Sequence, residues 1–135
     1  MTAGHDGSRT HLAIDAGLCG TPREIEPGRA VVVWSPGIET AADARGLVHG
    51  GFVFGLADYA AMLAVNEPHV VLAAAEVRFL APVRLGEHLT AEASVIESEG
   101  RKQRVEVEVR RDDTPVMTGS FQCFVTPRHV LGEPE

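Results

Sequence analysis

The most regular hydrophobic pattern of this chain lies in its second half, where apolar and polar residues alternate. Between Arg104 and Arg110, the residues Val105, Val107 and Val109 alternate with charged residues. Successive side chains of a strand point to opposite faces, so this pattern predicts a strand with one buried face and one wet face. Four stretches are predicted as strands, separated by turns that contain Gly, Pro or Asp: 69–81, 88–98, 103–111 and 115–125.

The first half of the chain predicts mainly a helix. From about Gly50 to Val65 the sequence is apolar without alternation, contains no proline and is rich in Ala and Leu, and the segment Asn66-Glu-Pro68 ends it. Before it, residues 10–19 predict a short helix and residues 29–34 a strand closed by Ser35-Pro-Gly37. Residues 38–48 predict an irregular loop.

Together these elements predict an α+β fold. A helix that is apolar almost all round must be covered on most sides, and the only cover available is a long antiparallel sheet that curls around it. One long central helix wrapped by a curved sheet of five or six strands is the hotdog fold. Such a sheet keeps open edges that invite pairing with another chain, so we expect self-association as at least a dimer.

Length and composition narrow the picture further. The 135 residues, 44% of them hydrophobic, suit one core, and we predict a flexible tail over 1–10, a single domain over 11–126 and a C-terminal tail over 127–135. A net charge of −7 with scattered basic residues argues against a nucleic-acid surface. Two cysteines without a CxxC or a Cys/His cluster indicate neither a disulfide scaffold nor a metal site, and they favour a cytoplasmic location.

The helix carries an ionisable group that calls for an explanation. Asp58 follows His49 by nine residues, in a segment where Tyr59 is the only other ionisable residue. Burying a carboxylate costs several kcal/mol unless it is paired, hydrogen-bonded or protonated. These charges also argue against a membrane span over residues 46–65, in spite of the small-xxx-small pattern from Gly51 to Gly55.

Asp58 is the candidate catalytic group. It lies about two turns inside the helix, on the stripe that i±4 spacing gives to Phe54 and Met62, and is too deep to serve as a cap. In an apolar pocket, a carboxylate can activate water as a general base or attack an acyl carbon itself. The sequence leaves both routes open, and a structural aspartate bonded to a partner's backbone is the alternative.

The second candidate is the start of the helix, where His49 precedes Gly50 and Gly51. Glycines let backbone N–H groups approach a ligand closely, and at a helix N-terminus these donors are unpaired and lie at the positive end of the dipole. The Gly51 N–H is therefore a candidate oxyanion donor. A glycine-rich helix start required only for packing is the alternative. His49 is expected either to donate to the substrate or to fix the turn through ring hydrogen bonds.

These residues carry a family resemblance. The stretch from His49 to Asp58, followed by Asn66, Val77-Arg-Phe-Leu-Ala-Pro82 and Leu89-Thr-Ala91, resembles the hotdog acyl-CoA thioesterases of the phenylacetate-pathway (PaaI-like) type over roughly residues 29–125. The resemblance implies hydrolysis of an acyl-CoA thioester, a homodimer or homotetramer with active sites between subunits, and Asp58 as the catalytic carboxylate. It implies no cofactor, since coenzyme A is part of the substrate.

The chain departs from its relatives at two positions. Asp43 stands six residues before His49, where relatives often carry Asn, and Leu72 stands where relatives often place a Ser or Thr hydroxyl to hold the attacking water. Water must then be oriented otherwise, the register of this strand is shifted, or hydrolysis is weak.

The acidic chain must meet the coenzyme A phosphates with local basic residues. Arg101 and Lys102 in the turn after Gly100 are our first choice and Arg84 is the second, with ordinary solvated surface as the alternative. The acyl group is small or medium in size, and Phe52, Phe54, Met62 and Phe79 suit an aromatic or an aliphatic pocket equally well.

Other functions compete with hydrolysis. A hotdog hydratase or dehydratase would use Asp43 and His49 to move protons, and a non-catalytic acyl-CoA binder would explain the missing hydroxyl at Leu72. A structural assembly protein is the third alternative, disfavoured by the two polar groups in the apolar segment.

Overall fold

The computed structural model describes residues 6–134, which form one sheet and one long helix. The helices are α1 (Ala16–Cys19) and α2 (Gly50–Val65), with a 3-10 turn at Ile38–Thr40. The strands are β1 (Thr21–Glu26), β2 (Arg29–Trp34), β3 (Val70–Phe79), β4 (Leu89–Glu99), β5 (Lys102–Arg111) and β6 (Thr114–Val125).

The six strands form an antiparallel sheet in the order β1-β2-β4-β5-β6-β3. This confirms the predicted hotdog architecture, with α2 and five of the strands close to their predicted bounds. The sequence missed β1, because this strand is largely exposed and its charged residues and Pro22 conceal any alternation. The short helix predicted over 10–19 forms only at its end, in α1.

The core lies between the inner face of the sheet and α2. Leu56, Ala60 and Leu63 on the helix are fully buried, and the three alternating valines of β5 are buried on the facing side. Burial of this apolar area is the main driving force for the helix to dock, since it removes the area from water. The helix ends at Asn66, whose left-handed backbone (φ 52°) lets its N–H donate to the Met62 carbonyl.

Residues 6–10 of the predicted flexible tail contact the domain. The Asn66 side chain accepts a hydrogen bond from the Arg9 N–H (2.8 Å) and donates to the Gly7 carbonyl (3.1 Å), and Ser8 and Thr10 are buried. The amide of Asn66 thus satisfies backbone groups that an unattached tail would leave to water. The remaining residues of that predicted tail, 1–5, and the last residue of the chain lie outside the described part.

No helix in the described range is long and apolar enough to cross a membrane.

Candidate active site

The start of α2 is fixed by backbone hydrogen bonds. The His49 N–H donates to the Thr40 carbonyl (2.9 Å), and the Val48 N–H donates to the Val83 carbonyl (2.9 Å). The N–H groups of Gly50 and Gly51 find no acceptor within residues 6–134. Free donors at the positive end of a helix dipole favour an oxygen that gains negative charge. Both glycines therefore lie where the sequence analysis required them.

The His49 ring lies beside Gly51. A β-carbon added at Gly51 would stand 3.0 Å from Nε2 of His49, and the ring makes an edge contact with Phe52 at 6.0 Å. The ring makes no capping hydrogen bond, so the turn is held by the His49 backbone N–H. An exposed ring beside a free N–H is available to a ligand that docks on Gly51.

Asp58 is half-buried and its two oxygens differ in environment. Oδ1 is fully buried and has no hydrogen-bond partner among the described residues. Burial raises the pKa of the Asp58 carboxyl from 3.8 to about 6. A carboxylate that titrates near neutral pH can take up and release a proton under physiological conditions, as a general base must.

The neighbours of Asp58 on the helix form an open face. Gly51, Phe54, Gly55 and Asp58 lie on this face, which the sheet covers only in part, and a β-carbon added at Gly55 would meet nothing within 4 Å. The Phe54 ring packs against Phe121 with 5.5 Å between ring centres. Met62 was predicted to share this stripe, but it is only 1% exposed and lies in the core.

The sheet edge nearest the start of the helix is also uncovered. β3 ends the sheet, and its residues 73–76 are exposed. Phe79 and Leu80 are 54% and 53% exposed, and the Phe79 ring lies 3.5 Å from the position of a β-carbon on Gly50. An apolar strand edge and an incompletely covered helix face therefore lie on the same side of the molecule. The sequence analysis did not single out Leu80, because its exposure follows from the end of the edge strand.

Asp43, the first of the two positions at which the chain departs from its relatives, lies in the loop before α2. The Asp43 carboxylate accepts the backbone N–H groups of Arg45 (3.0 Å) and Leu47 (3.1 Å), so it shapes the loop. Arg84 is exposed and lies beside this loop, where it pairs with Leu47.

Leu72, the second of these positions, lies on β3. Leu72 is paired with Cys123 of β6, next to a bulge between Leu72 and Ala74. Residues 73–75 are all alanine, so this strand offers no hydroxyl to replace the missing one.

Arg101 and Lys102 lie at the turn between β4 and β5. Lys102 Nζ stands 5.7 Å from the centre of the Phe124 ring. The Val125 N–H donates to the Arg101 carbonyl, which places the turn beside the end of β6. This turn is at the opposite end of the sheet from Gly51, so one chain does not bring these cations and Gly51 together. Over residues 6–134 no group of three His, Cys, Asp or Glu side chains is placed to hold a metal.

Comparison with known proteins agrees with this geometry. The sequence matches the thioesterase superfamily over residues 45–118, more than half of the chain. A solved structure of an uncharacterized protein from Pyrococcus horikoshii has 50% identity and a TM-score of 0.91, with 98% of this chain and 100% of that chain covered. A mutant of the phenylacetic acid degradation protein PaaI from Thermus thermophilus has 27% identity and a TM-score of 0.74, with coverage of 81% and 95%.

Two curated relatives are much longer than this chain. The methylthioribose-1-phosphate isomerase of Aquifex aeolicus is 47% identical over 113 residues, which are 84% of this chain and 25% of that protein. The transcription factor FapR of Shouchella clausii is 29% identical over 96 residues, 71% of this chain and 50% of that protein. The chain thus spans a quarter to a half of the length of these two relatives.

The protein has a hotdog fold with an acidic residue on its central helix. The chain belongs to the thioesterase superfamily.

Proposed function

We propose that this protein is an acyl-CoA thioesterase in which Asp58 is the catalytic carboxylate and the Gly51 N–H binds the oxyanion. The observation that carries the proposal is Oδ1 of Asp58, which is buried without a partner among residues 6–134, on a helix whose first N–H groups have no acceptor in that range. A structural aspartate would have used its oxygens for hydrogen bonds, since an unsatisfied buried acceptor costs about 1–3 kcal/mol. Membership of the thioesterase superfamily supports the same reaction.

The helix geometry argues that each site is shared by two chains. Asp58 follows Gly51 by seven residues, which is ~10 Å along the axis at 1.5 Å per residue. An oxyanion donor must come within about 3 Å of the carbonyl oxygen, and an attacking carboxylate, or the water that it activates, must reach the carbon of the same group. One straight helix keeps the two groups too far apart for this. We infer that the Gly51 N–H of one chain works with Asp58 of another.

The open edge of β3 supplies a way to build such a dimer. If two β3 edges pair in antiparallel fashion, the two-fold axis turns the second chain end for end and its α2 runs opposite to the first. Asp58 of one helix then approaches Gly51 of the other. The same operation brings Arg101 and Lys102 of one chain towards the Gly51 end of its partner, where they are candidates for the coenzyme A phosphates. A homodimer or homotetramer is therefore part of the proposal.

In the proposed reaction, the thioester carbonyl oxygen accepts the Gly51 N–H while its sulfur faces Asp58. As a general base, Asp58 removes a proton from water, and the resulting hydroxide adds to the carbonyl carbon. The tetrahedral intermediate collapses with release of the coenzyme A thiolate, which takes up a proton, and the acyl group leaves as a carboxylic acid. Direct attack by Asp58 through a mixed anhydride gives the same products after hydrolysis.

The experiment is a thiol-release assay over acyl-CoAs with small, medium and aromatic acyl groups, run beside Asp58→Asn. Release of free thiol by the native protein and its loss in the variant support hydrolysis. Tight acyl-CoA binding without thiol release would contradict the proposal and favour a non-catalytic binder. The missing hydroxyl at Leu72 and the FapR relatives, which are transcription factors, are the observations that favour this second candidate.

Mixed dimers test whether the site is shared. Gly51→Pro removes the N–H, whereas its matched control Gly51→Ala retains the N–H and adds a β-carbon at the same place. Inactive Asp58→Asn and inactive Gly51→Pro chains, when mixed, should regain activity in heterodimers that hold one intact site. Failure to regain activity in mixtures with proven subunit exchange would contradict the shared site.

A hydratase or dehydratase that uses Asp43 and His49 has less support, because the Asp43 carboxylate is already used by two loop N–H groups. It would require His49→Ala to abolish turnover of an enoyl-CoA while Asp58→Asn retained it. We also infer a cytoplasmic location, because Cys19 and Cys123 are both free thiols.

A further inference from the structure

When Asp58 ionises, its buried oxygen Oδ1 needs a hydrogen-bond donor, and residues 6–134 provide none in the structure. Oδ1 is buried without a partner, yet a general base must spend part of its time ionised. A charged oxygen in apolar surroundings is strongly destabilised unless a donor reaches it. A donor on the buried side of Asp58 would also fix which oxygen faces the substrate. Such a donor would have to come from the elements beneath α2.

The start of α2 lies over the first part of β6. A β-carbon on Gly50 would stand 3.5 Å from the ring of Phe79, and Phe79 is paired with Met117 on β6. Further along both elements, the Phe54 ring packs on Phe121. The two contacts follow each other in the same order, so α2 and β6 run in the same direction.

One step further along both elements leads from the aromatic pair to Asp58 and Cys123. Asp58 is one helical turn beyond Phe54, a rise of ~6 Å. Cys123 is two residues beyond Phe121 on the same inner face of β6, a rise of ~7 Å. Because the two steps are nearly equal, we infer that Cys123 lies at the level of Asp58 along β6. The structure itself shows no hydrogen bond between the thiol and Oδ1.

The Cys123 thiol is a protonated hydrogen-bond donor whose acceptor in the structure is weak. The residue is buried, and the only acceptor that the described chain gives its thiol is the Phe121 carbonyl at 4.0 Å, the limit for a sulfur hydrogen bond. Burial and then the nearby charge of Asp58 raise the pKa of Cys123 to about 12. The thiol therefore keeps its proton at the pH at which Asp58 ionises.

One further thiol and one phenol face the same region. Cys19 at the end of α1 also has its pKa raised, by burial and by the charges of Asp15 and Asp58. Tyr59, the next residue on α2, has a raised pKa and its ring contacts His11. Cys19 is only half-buried, so it can reach water, whereas Cys123 cannot. This difference makes Cys19 the natural control.

We propose that Cys123 is a positioning residue for Asp58: its S–H donates to Oδ1 when the carboxylate ionises, and so directs Oδ2 towards the thioester. The proposal rests on the proposed function only for the consequence on catalysis. A thiol is a weak donor, so it orients the carboxylate without stabilising the ionised form as strongly as a hydroxyl would. The base therefore stays strong enough to take a proton from water.

Infrared spectroscopy of the S–H stretch tests the contact without any assay of activity. In full-length Cys19→Ala protein, Cys123 is the only thiol, and its band should move to lower frequency as the pH rises through about 6 and Asp58 ionises. The combination with Asp58→Asn should abolish this movement. A band that is independent of pH in Cys19→Ala would overturn the proposal. Movement of the band in Cys123→Ala, where Cys19 is the only thiol, would assign the donor to Cys19 and overturn it equally.

Titration of the Asp58 carboxyl by NMR measures the effect of the donor. Cys123→Ala should raise the Asp58 midpoint and Cys123→Ser should lower it, each by about half a unit to one unit, because the donor is removed in one variant and strengthened in the other. Cys19→Ala should leave the midpoint nearly unchanged. Equal midpoints in the Ala and Ser variants would overturn the proposal, since a purely structural cysteine would change stability alone.

The thioesterase pH profile shows whether the contact matters for catalysis. If the native protein hydrolyses acyl-CoA, the acid limb of kcat should move with the NMR midpoint in the Cys123 variants, and a limb that does not move would overturn the positioning role. If no acyl-CoA is hydrolysed, the proposed function fails, while the infrared and NMR results still decide whether Cys123 donates to Asp58.

Discussion

The two faces of α2 differ in how completely the chain itself covers them. On one face, Leu56, Ala60 and Leu63 are fully buried against the sheet. On the other, Gly51 is exposed, Gly55 has open space above it and Asp58 is only half-buried. Residues 6–134 thus cover the first face fully and the second only in part. The first face stabilises the fold, and we propose that the second contacts another molecule.

The largest effect is expected from Asp58→Asn on the open face. Loss of a general base or nucleophile should lower thiol release at least about a hundredfold, measured as kcat on the best acyl-CoA. Melting temperature should not fall, because a buried unpaired carboxylate is replaced by a neutral amide of similar shape. An active variant, or a variant that is strongly destabilised, would remove the functional distinction between the two faces.

On the covered face, Leu63→Ala should lower the free energy of unfolding by about 2–5 kcal/mol, because it opens a cavity in the core. Urea unfolding measures the change. The folded variant should retain the pH dependence of thiol release proposed for the native protein, since Leu63 lies on the covered face of α2. If Leu63→Ala changed the acid limb of the pH profile of thiol release but left stability unchanged, the covered face would serve function and not the fold.

Asp58 should also make stability depend on pH. Its carboxyl has a folded pKa raised from 3.8 to about 6, so between these values the folded state binds more protons than the unfolded state. Stability should therefore fall as pH rises from about 4 to 6, by up to about 2 kcal/mol. The difference in unfolding free energy between native protein and Asp58→Asn should show this trend. A constant difference across that range would mean that burial does not raise the Asp58 pKa.

Two glycine substitutions should have small effects of opposite sign. Gly55→Ala adds a methyl group in open space and improves helix propensity, so stability should rise by roughly 1 kcal/mol. Gly119→Ala on β6 would put its β-carbon 2.7 Å from Val77 Cγ1 and 2.9 Å from the Phe121 ring, and should destabilise by about 1–3 kcal/mol. Thermal unfolding of both variants and of the native protein measures these changes in stability. A loss at Gly55 equal to that at Gly119 would show that the open face is covered after all.

Local pattern was sufficient for the elements and for the candidate catalytic residue. The helix over Gly50–Val65 is confirmed to the residue, because its apolar run is bounded by glycines at one end and by Asn66 and Pro68 at the other. The alternating valines of β5 are buried as predicted. Asp58 stood out because a lone carboxylate among apolar residues is costly to bury. The exposed strand β1 was missed, since it lacks a buried alternating face.

Only the tertiary structure decided which residues of the helix are open and what lies beneath them. Met62 lies one helical turn beyond Asp58, as its spacing predicts, but only the packing of the whole chain decided that its side chain is buried in the core. No local signal connects Cys123 to Asp58, because the two residues are distant in sequence and the proposed contact depends on the register of β6 beneath α2. The sequence by itself determined α2 and most of the strands and singled out Asp58 as a candidate, since periodicity and the cost of burial act locally. Which groups face each other depends on strand order and packing, which are set by contacts across the whole chain.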